Sequence, residues 1–310
     1  MKLLIIYDKV SDSPDEIDTI EQVEFVKQNA NCEVYEYQVS LDIMSFIKEV
    51  ERIKPDLVFN LIENSNIHVI PSILDDMGIK YTGNSAKVLF LTTDKVLFKK
   101  LLPNKWTAGY VSQNEGKAVK GKKYIIKALK EDASIGIDEN SVFVASNTKE
   151  VRERIKNRPY LSFAEEFIEG REVNIALLEK KGGGCEVLVP REVMFKNFHK
   201  NKPKILCYKS KWDEDSFEYK NTETVRNDFE AEPLLLKKLI KYSKYCWKRF
   251  DLKGYVRVDF RIDENNNPYI LEINANPCIN PHGSGFYKSF VEKGYKGKEL
   301  IERIINVASK

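Results

Sequence analysis

An arginine, an aspartate, a glutamate and an asparagine fall late in the chain at a spacing that could do chemistry. In Gly254–Pro277, GYVRVDFRIDENNNPYILEINANP, strand alternation puts Arg257 and Asp259 on one face and Val256, Val258, Phe260 and Ile262 on the other. The second apolar run sets Glu272 and Asn274 on one face, opposite Tyr269, Leu271 and Ile273. Asp-Glu-Asn-Asn-Asn-Pro between them is turn-forming, so the segment reads as an antiparallel hairpin. Pairing Phe260 with Leu271 and Val258 with Ile273 satisfies both faces at once. It also sets Asp259 against Glu272 and Arg257 against Asn274. Two carboxylates directly opposite repel. A hard, oxygen-seeking cation between them removes that cost, and Mg²⁺ bridging nucleotide phosphates is the usual one. A surface hairpin in which Arg257 merely neutralises Asp259 is the other reading the segment allows.

Other segments carry matching chemistry. Lys123-Tyr-Ile-Ile-Lys127 is a short apolar strand that delivers an amine to the interior, and Glu131-Asp-Ala-Ser-Ile-Gly-Ile after it is small enough to fold over a ligand. Leu161-Ser-Phe-Ala-Glu-Glu-Phe-Ile-Glu-Gly-Arg-Glu172 reads as a strand ending in a turn. Its backbone could pair with a purine edge, and its carboxylates could accept from an amino group or a ribose. Taken in order, these segments resemble the ATP-grasp superfamily, and within it the D-alanine–D-alanine ligase-like branch. The resemblance starts at Asp56-Leu-Val-Phe-Asn-Leu-Ile-Glu63, runs through Gly78-Ile-Lys-Tyr-Thr-Gly83 and Thr93-Asp-Lys95, and ends at Asn276-Pro-Cys-Ile, so it covers nearly the whole chain.

The resemblance implies an α/β fold. An N-terminal α/β pre-ATP-grasp domain would occupy residues 1–85, a central ATP-grasp lobe 86–168 and a C-terminal lobe with the metal site 169–310. The nucleotide would lie between the last two. It implies ATP and one or two Mg²⁺ (or Mn²⁺) as cofactors and a carboxylate–amine ligase acting through an acyl phosphate. Lys95 and Lys127 would hold the α- and β-phosphates, and Glu165 would accept from the adenine amino group. The backbone of Phe167 and Ile168 would pair with the purine edge, and Glu172 would take the ribose hydroxyls. Asp259, Glu272 and Asn274 would hold the metal, and Arg257 would stabilise the tetrahedral oxyanion. Cys207-Tyr-Lys-Ser-Lys-Trp-Asp matches the family's mobile loop: Lys211 and Lys209 would neutralise the γ-phosphate while Trp212 excludes water. Ser134 is a further phosphate candidate, beside Ala133, which replaces a serine usual in true D-alanine ligases.

The N-terminal glycine pair and nearby glutamate of true D-alanine–D-alanine ligases give way to Tyr7-Asp-Lys-Val-Ser-Asp-Ser-Pro-Asp-Glu, and Asn60-Leu-Ile-Glu-Asn-Ser-Asn-Ile-His68 replaces their His-Gly and Gly-Glu-Asp-Gly run. Their Ser-Pro-Gly-Met and serine-leucine pair become Asn276-Pro-Cys278-Ile and Pro281-His-Gly-Ser-Gly-Phe286. The nucleotide half is kept and both amino-acid subsites are altered, which argues for a different substrate pair. Cys278 falls where a backbone amide helps bind the oxyanion, and it reads as a structural thiol. Asn280, His282 and Ser284 are candidates for the acceptor pocket, with a loop or capping role as the alternative for His282. Glu63 could grip a substrate ammonium or stay a solvated carboxylate.

Composition bounds the rest. With 310 residues, 42% of them hydrophobic, the chain can bury a core and hold two or three lobes. A net charge of +3 with both signs interspersed implies no nucleic-acid or membrane-surface field. No run approaches membrane-spanning length. Five cysteines without CxxC spacing suit reduced thiols in a cytoplasm. Expected partners are a small carboxylate and an amine, with a homodimer and a carrier-protein acceptor as further possibilities.

Strands are expected at Lys2–Tyr7, Cys32–Tyr37, Asp56–Ile62, Lys117–Ile126, Phe143–Ala145, Ser162–Ile168, Arg171–Leu178 and Cys185–Phe195. Helices are expected at Asp18–Asn29, Val69–Met77, Ser85–Leu102, Lys149–Asn157, Leu234–Phe250 and Lys296–Ser309. Besides an amide-forming ligase, a non-catalytic nucleotide-binding module and a small-molecule kinase are the competing classes.

Overall fold

The computed structural model describes residues 1–9, 14–40, 42–64, 66–131 and 134–309, with only the backbone of residues 14–16. β1 (Lys2–Asp8) pairs in parallel with β2 (Glu33–Val39) on one side and β3 (Leu57–Leu61) on the other. A central parallel strand is covered on both faces, and Leu3, Leu4, Ile5 and Ile6 are accordingly all buried. α1 (Pro14–Asn29) connects β1 to β2. α2 (Ile43–Ile53), which the sequence reading did not contain, opens on Asp42, whose carboxylate accepts from the Ser45 N–H. α3 (Val69–Asp76) follows β3.

The single helix expected over Ser85–Leu102 is two, α4 (Ala86–Thr93) and α5 (Leu97–Lys100). Asp94 Oδ1 accepts from the Val96 and Leu97 N–H groups and restarts the helix, while the Lys95 N–H donates to the Leu129 carbonyl. The central sheet is antiparallel in the order β4-β7-β5-β6, with β4 (Tyr110–Val111), β5 (Lys123–Ala128), β6 (Val142–Val144) and β7 (Ser162–Glu166). The strand expected from Lys117 begins only at Lys123, so Lys127 lies within β5 rather than at its end. α6 (Thr148–Lys156) packs beside it, capped by Asn147.

The third sheet is antiparallel in the order β11-β10-β8-β12-β13, with β9 also on β8. Its strands are β8 (Arg171–Glu179), β9 (Cys185–Val187), β10 (Arg191–Phe195), β11 (Thr222–Arg226), β12 (Tyr255–Ile262) and β13 (Pro268–Asn274). The expected Cys185–Phe195 strand is interrupted before Arg191. Pro190 has no N–H to give a ladder, and the two pieces pair with different stretches of β8. The helices of this part are α7 (Tyr208–Trp212), α8 (Phe217–Lys220), α9 (Pro233–Arg249), α10 (Gly285–Val291) and α11 (Gly297–Ala308). α9 buries Leu235, Leu239, Cys246 and Trp247 at helical spacing against the sheet. One core cluster runs from β1, α2, α3 and α4 to α9, β8, β12 and β13, which ties the first sheet to the third. At that joint Gly254 has φ +62°, and an added Cβ would lie 2.9 Å from the Gly83 Cα.

Candidate active site

The β12–β13 hairpin pairs Arg257 with Asn274, Val258 with Ile273 and Asp259 with Glu272, and then shifts by one at a bulge. Phe260 therefore pairs with Ile270, not with Leu271. Ile270 and Ile273 are the core residues of β13, and Leu271, expected in the core, lines a cleft instead. Arg257 donates to both Asp259 oxygens, from Nε and Nη2, at 2.8 Å each. Asn274 Nδ2 donates to Asp259 Oδ2 at 3.0 Å and to Glu272 Oε1 at 3.2 Å.

These two facing carboxylates are held differently. Burial pushes Asp259 up, against the pull of Arg257, and the neighbouring Glu272 adds to the rise. Burial also works to raise Glu272, but Lys95, Arg257, Lys211 and Lys127 outweigh it and hold the carboxyl at about 2. Among the described residues no three His, Cys, Asp or Glu side chains are arranged around one point as metal ligands. Two carboxylates with an amide oxygen nevertheless fit Mg²⁺, which is held by one or two carboxylates and completes its shell with phosphate oxygens and water.

Across the cleft, Lys127 Nζ donates to Glu165 Oε2 at 3.0 Å, and Lys99 Nζ donates to Glu165 Oε1 at 2.7 Å. Burial works to raise Glu165, and Lys127 and Lys99 outweigh it, so the carboxyl lies below the usual range. Lys99 also donates to the Ile270 and Leu271 carbonyls, joining β7 to β13. Lys95 Nζ donates to the Glu131 carbonyl at 2.8 Å and lies 3.9 Å from Glu272. Ser134, at φ +63°, lines the same cleft, whereas its neighbour Ala133 lies outside the described residues.

After β7 the chain turns at Gly170, whose φ is +141° and where a Cβ would meet the Ile262 carbonyl at 2.0 Å. The Phe167 N–H donates to the Lys123 carbonyl at 2.9 Å, and the Ile168 carbonyl accepts from Arg261. So each of these two residues, expected to face a purine, has one of its two backbone groups already engaged. Among the described residues no partner engages the Phe167 carbonyl or the Ile168 N–H. Glu172, one residue into β8, is buried and pushed up by that burial, with Arg261 as the main opposing charge.

The expected substrate residues divide. His282 is exposed in the cleft, and Glu63 also lines it. Asn280 does not line it: its amide donates to Asp18 and to Glu21 of α1. Ser284 caps α10, accepting from the Tyr287 N–H and donating to the Cys278 carbonyl. Cys278 donates to Asp18 Oδ2 at 2.9 Å. Gln22, from the same helix, bonds both Glu63 and the Ile279 N–H, at 2.9 Å each. Lys211 and Trp212 line the cleft from α7, but Lys209 is exposed and outside the lining.

The cleft has a volume of about 1740 Å³ and is bounded by all three sheets. Sequence reasoning missed Lys99, Arg261, Asp18 and Gln22. Lys99 follows Lys95 by four residues, one helical turn. Arg261 continues the alternation Arg257–Asp259. No local signal marks Asp18 or Gln22, whose partners in the loop after β13 are more than 250 residues away in the chain.

Residues 95–306 match the family described as D-ala D-ala ligase C-terminus. The chain is 27% identical over 252 residues to a D-alanine–D-alanine ligase of Carboxydothermus hydrogenoformans, spanning 76% of this chain and 75% of that one. It is 28% identical over 276 residues to a D-alanine–D-alanine ligase of Rickettsia felis, spanning 84% and 78%. In three dimensions it is similar to the D-alanine–D-alanine ligase from Bacillus anthracis complexed with ATP. The TM-score is 0.74 at 18% identity, over 99% of this chain and 97% of that one.

Proposed function

The chain belongs to the D-ala D-ala ligase C-terminus family, and from that premise we propose an ATP-dependent ligase that joins the carboxylate of an amino acid to an amine through an acyl phosphate. The observation that supports this best is Asp259 opposite Glu272, with Arg257, Lys95, Lys127 and Lys211 gathered on the same end of the cleft.

A carboxylate and an amine do not condense in water, because an oxide is a poor leaving group. Attack of the carboxylate oxygen on the γ-phosphorus breaks its bond to ADP and creates a phosphate leaving group. The amine then adds to the acyl carbon, phosphate departs, and a proton is lost from nitrogen. Such catalysis is mainly positioning and neutralisation. Lys95 and Lys127 would meet the α- and β-phosphates and Lys211 the γ-phosphate. Asp259, Glu272 and Asn274 would hold Mg²⁺, which supplies further positive charge to the phosphate oxygens. Arg257 and the Cys278 N–H would face the oxyanion. The Ile168 N–H could donate to adenine's N1; the Phe167 carbonyl belongs to the same trans peptide and points the opposite way, so adenine's amino group needs another acceptor. Glu165 keeps lone pairs beyond its two lysines and could accept from the same amino group. Asp18 and Glu63 would grip an ammonium.

The test is phosphate release across pairs of amino acids and amines. Release should need both substrates, and Asp259→Asn and Glu272→Gln should each lower it at least about 100-fold, the scale set by losing a directed charge interaction in a dry site. Unchanged turnover in both variants would remove the metal assignment. Full-rate phosphoryl transfer to a stable product without any amine would make the protein a kinase.

A further inference from the structure

Arg261 is buried in the third sheet, on the same face as Asp259 and opposite Glu172 in the register. Its Nε and Nη2 donate to the Ile168 carbonyl at 3.0 and 2.9 Å. Its Nη1 donates to the Lys204 carbonyl at 2.9 Å and reaches Glu172 Oε2 at 3.5 Å. The guanidinium carbon lies 5.3 Å from the centre of the Phe167 ring. Arg261 also lines the cleft. One side chain thus touches Phe167, Ile168 and Glu172, the three groups assigned above to the base and the sugar.

We propose that Arg261 is the positioning residue of the nucleoside end, fixing together the backbone that meets the base and the carboxylate that meets the ribose. The inference rests on the nucleotide-binding part of the reading above. Its two actions have separate physical causes. The forked pair of bonds holds the Ile168 carbonyl from two directions and so pins the residue whose N–H would meet the base. The charge favours the ionised form of Glu172 against a burial that favours the neutral acid. An ionised carboxylate accepts from two hydroxyls, whereas a protonated one loses acceptor capacity. A buried arginine that only stitched loops together would contribute to stability alone and would not distinguish one sugar from another.

Binding of ATP and of 2′-deoxy-ATP, each with Mg²⁺, measured calorimetrically on the full chain, separates these cases. The unaltered protein should prefer ATP by about 5-fold or more, the cost of leaving a buried acceptor without its hydroxyl. In Arg261→Met the ATP affinity should fall about 10-fold or more and the preference should approach 1, because both the Phe167–Ile168 backbone and the carboxylate lose their anchor. In Arg261→Lys, which keeps a charge but not the fork, both nucleotides should weaken together with the preference retained. Equal losses for both nucleotides in Arg261→Met, or unaltered affinities in Arg261→Lys, overturn the proposal. Should Arg261→Met not fold, the lysine variant decides alone. Phosphate release is scored separately. Normal nucleotide discrimination without release for any carboxylate–amine pair sinks the ligase reading and leaves Arg261 in its role.

Discussion

Each buried carboxylate of the cleft takes its state from the cations beside it. Glu165 stands between Lys99 and Lys127, Glu272 faces several positive charges, and both stay ionised. Asp259 and Glu172 are pushed up by burial, each with one arginine as its main counterweight. Cys278 shows the opposite case. Burial pushes its thiol well above the ordinary range, and Glu63 and Asp18 push it further. A raised thiol pKa means that the neutral form persists as pH climbs, so the reactive thiolate is scarce at pH 8. Alkylation of Cys278 at pH 8, followed by peptide mass mapping, should be at least about 10-fold slower in the folded protein than in denaturant. Equal rates would show an ionised thiol and reopen a nucleophilic role. An acyl-phosphate route needs no such nucleophile.

Two backbone features aim these residues. The bulge after Asp259 lets β13 keep Glu272 beside Asp259 while returning Ile270 to the core and turning Leu271 toward the cleft. The turn at Gly170 joins the Phe167–Ile168 segment to β8, and at Gly170 both φ and the close Ile262 carbonyl exclude a side chain. Gly170→Ala must move the backbone at this point. It should cost on the order of 1–3 kcal/mol, as strained left-handed or more extreme positive-φ positions do. Because Ile168 and Glu172 flank the turn, ATP affinity should fall along with the melting temperature. A variant with unaltered melting and ATP affinity would show that the turn tolerates a Cβ and that the Phe167–Ile168 segment is not fixed by it.

The described residues form three sheets around a shared cleft, with the first and third sheets joined by a common core. A ligand that bridges the central and third sheets binds only when both are in place, so it favours the folded chain by mass action. At 100 times its dissociation constant, Mg²⁺–ATP should add about 2.7 kcal/mol, a rise of several degrees in melting temperature. Chelating the metal should remove most of that rise, since the phosphates would then meet Asp259 and Glu272 without an intervening cation. A rise of the same size with chelator present would place the nucleotide away from these carboxylates. Among the described residues no helix is long and apolar enough to cross a membrane.

Alternation and charge alone determined the strand pairing at the Asp259–Glu272 end: a period of two and a repulsive pair admit one register, in which Asp259 meets Glu272 and Arg257 meets Asn274. The α/β character and most helices were legible for the same reason, since apolar periodicity is a local property. The helix break at Asp94 was not, because a side chain bonding its own backbone competes with a pattern that otherwise continues. The bulge was not, because it depends on what β13 packs against. Only the tertiary structure brought Lys99 to Glu165, Arg261 to Ile168, and Asp18 and Gln22 to the loop after β13. These contacts join residues far apart in the chain, where a buried charge must find a partner and nothing nearby in sequence says which one it is.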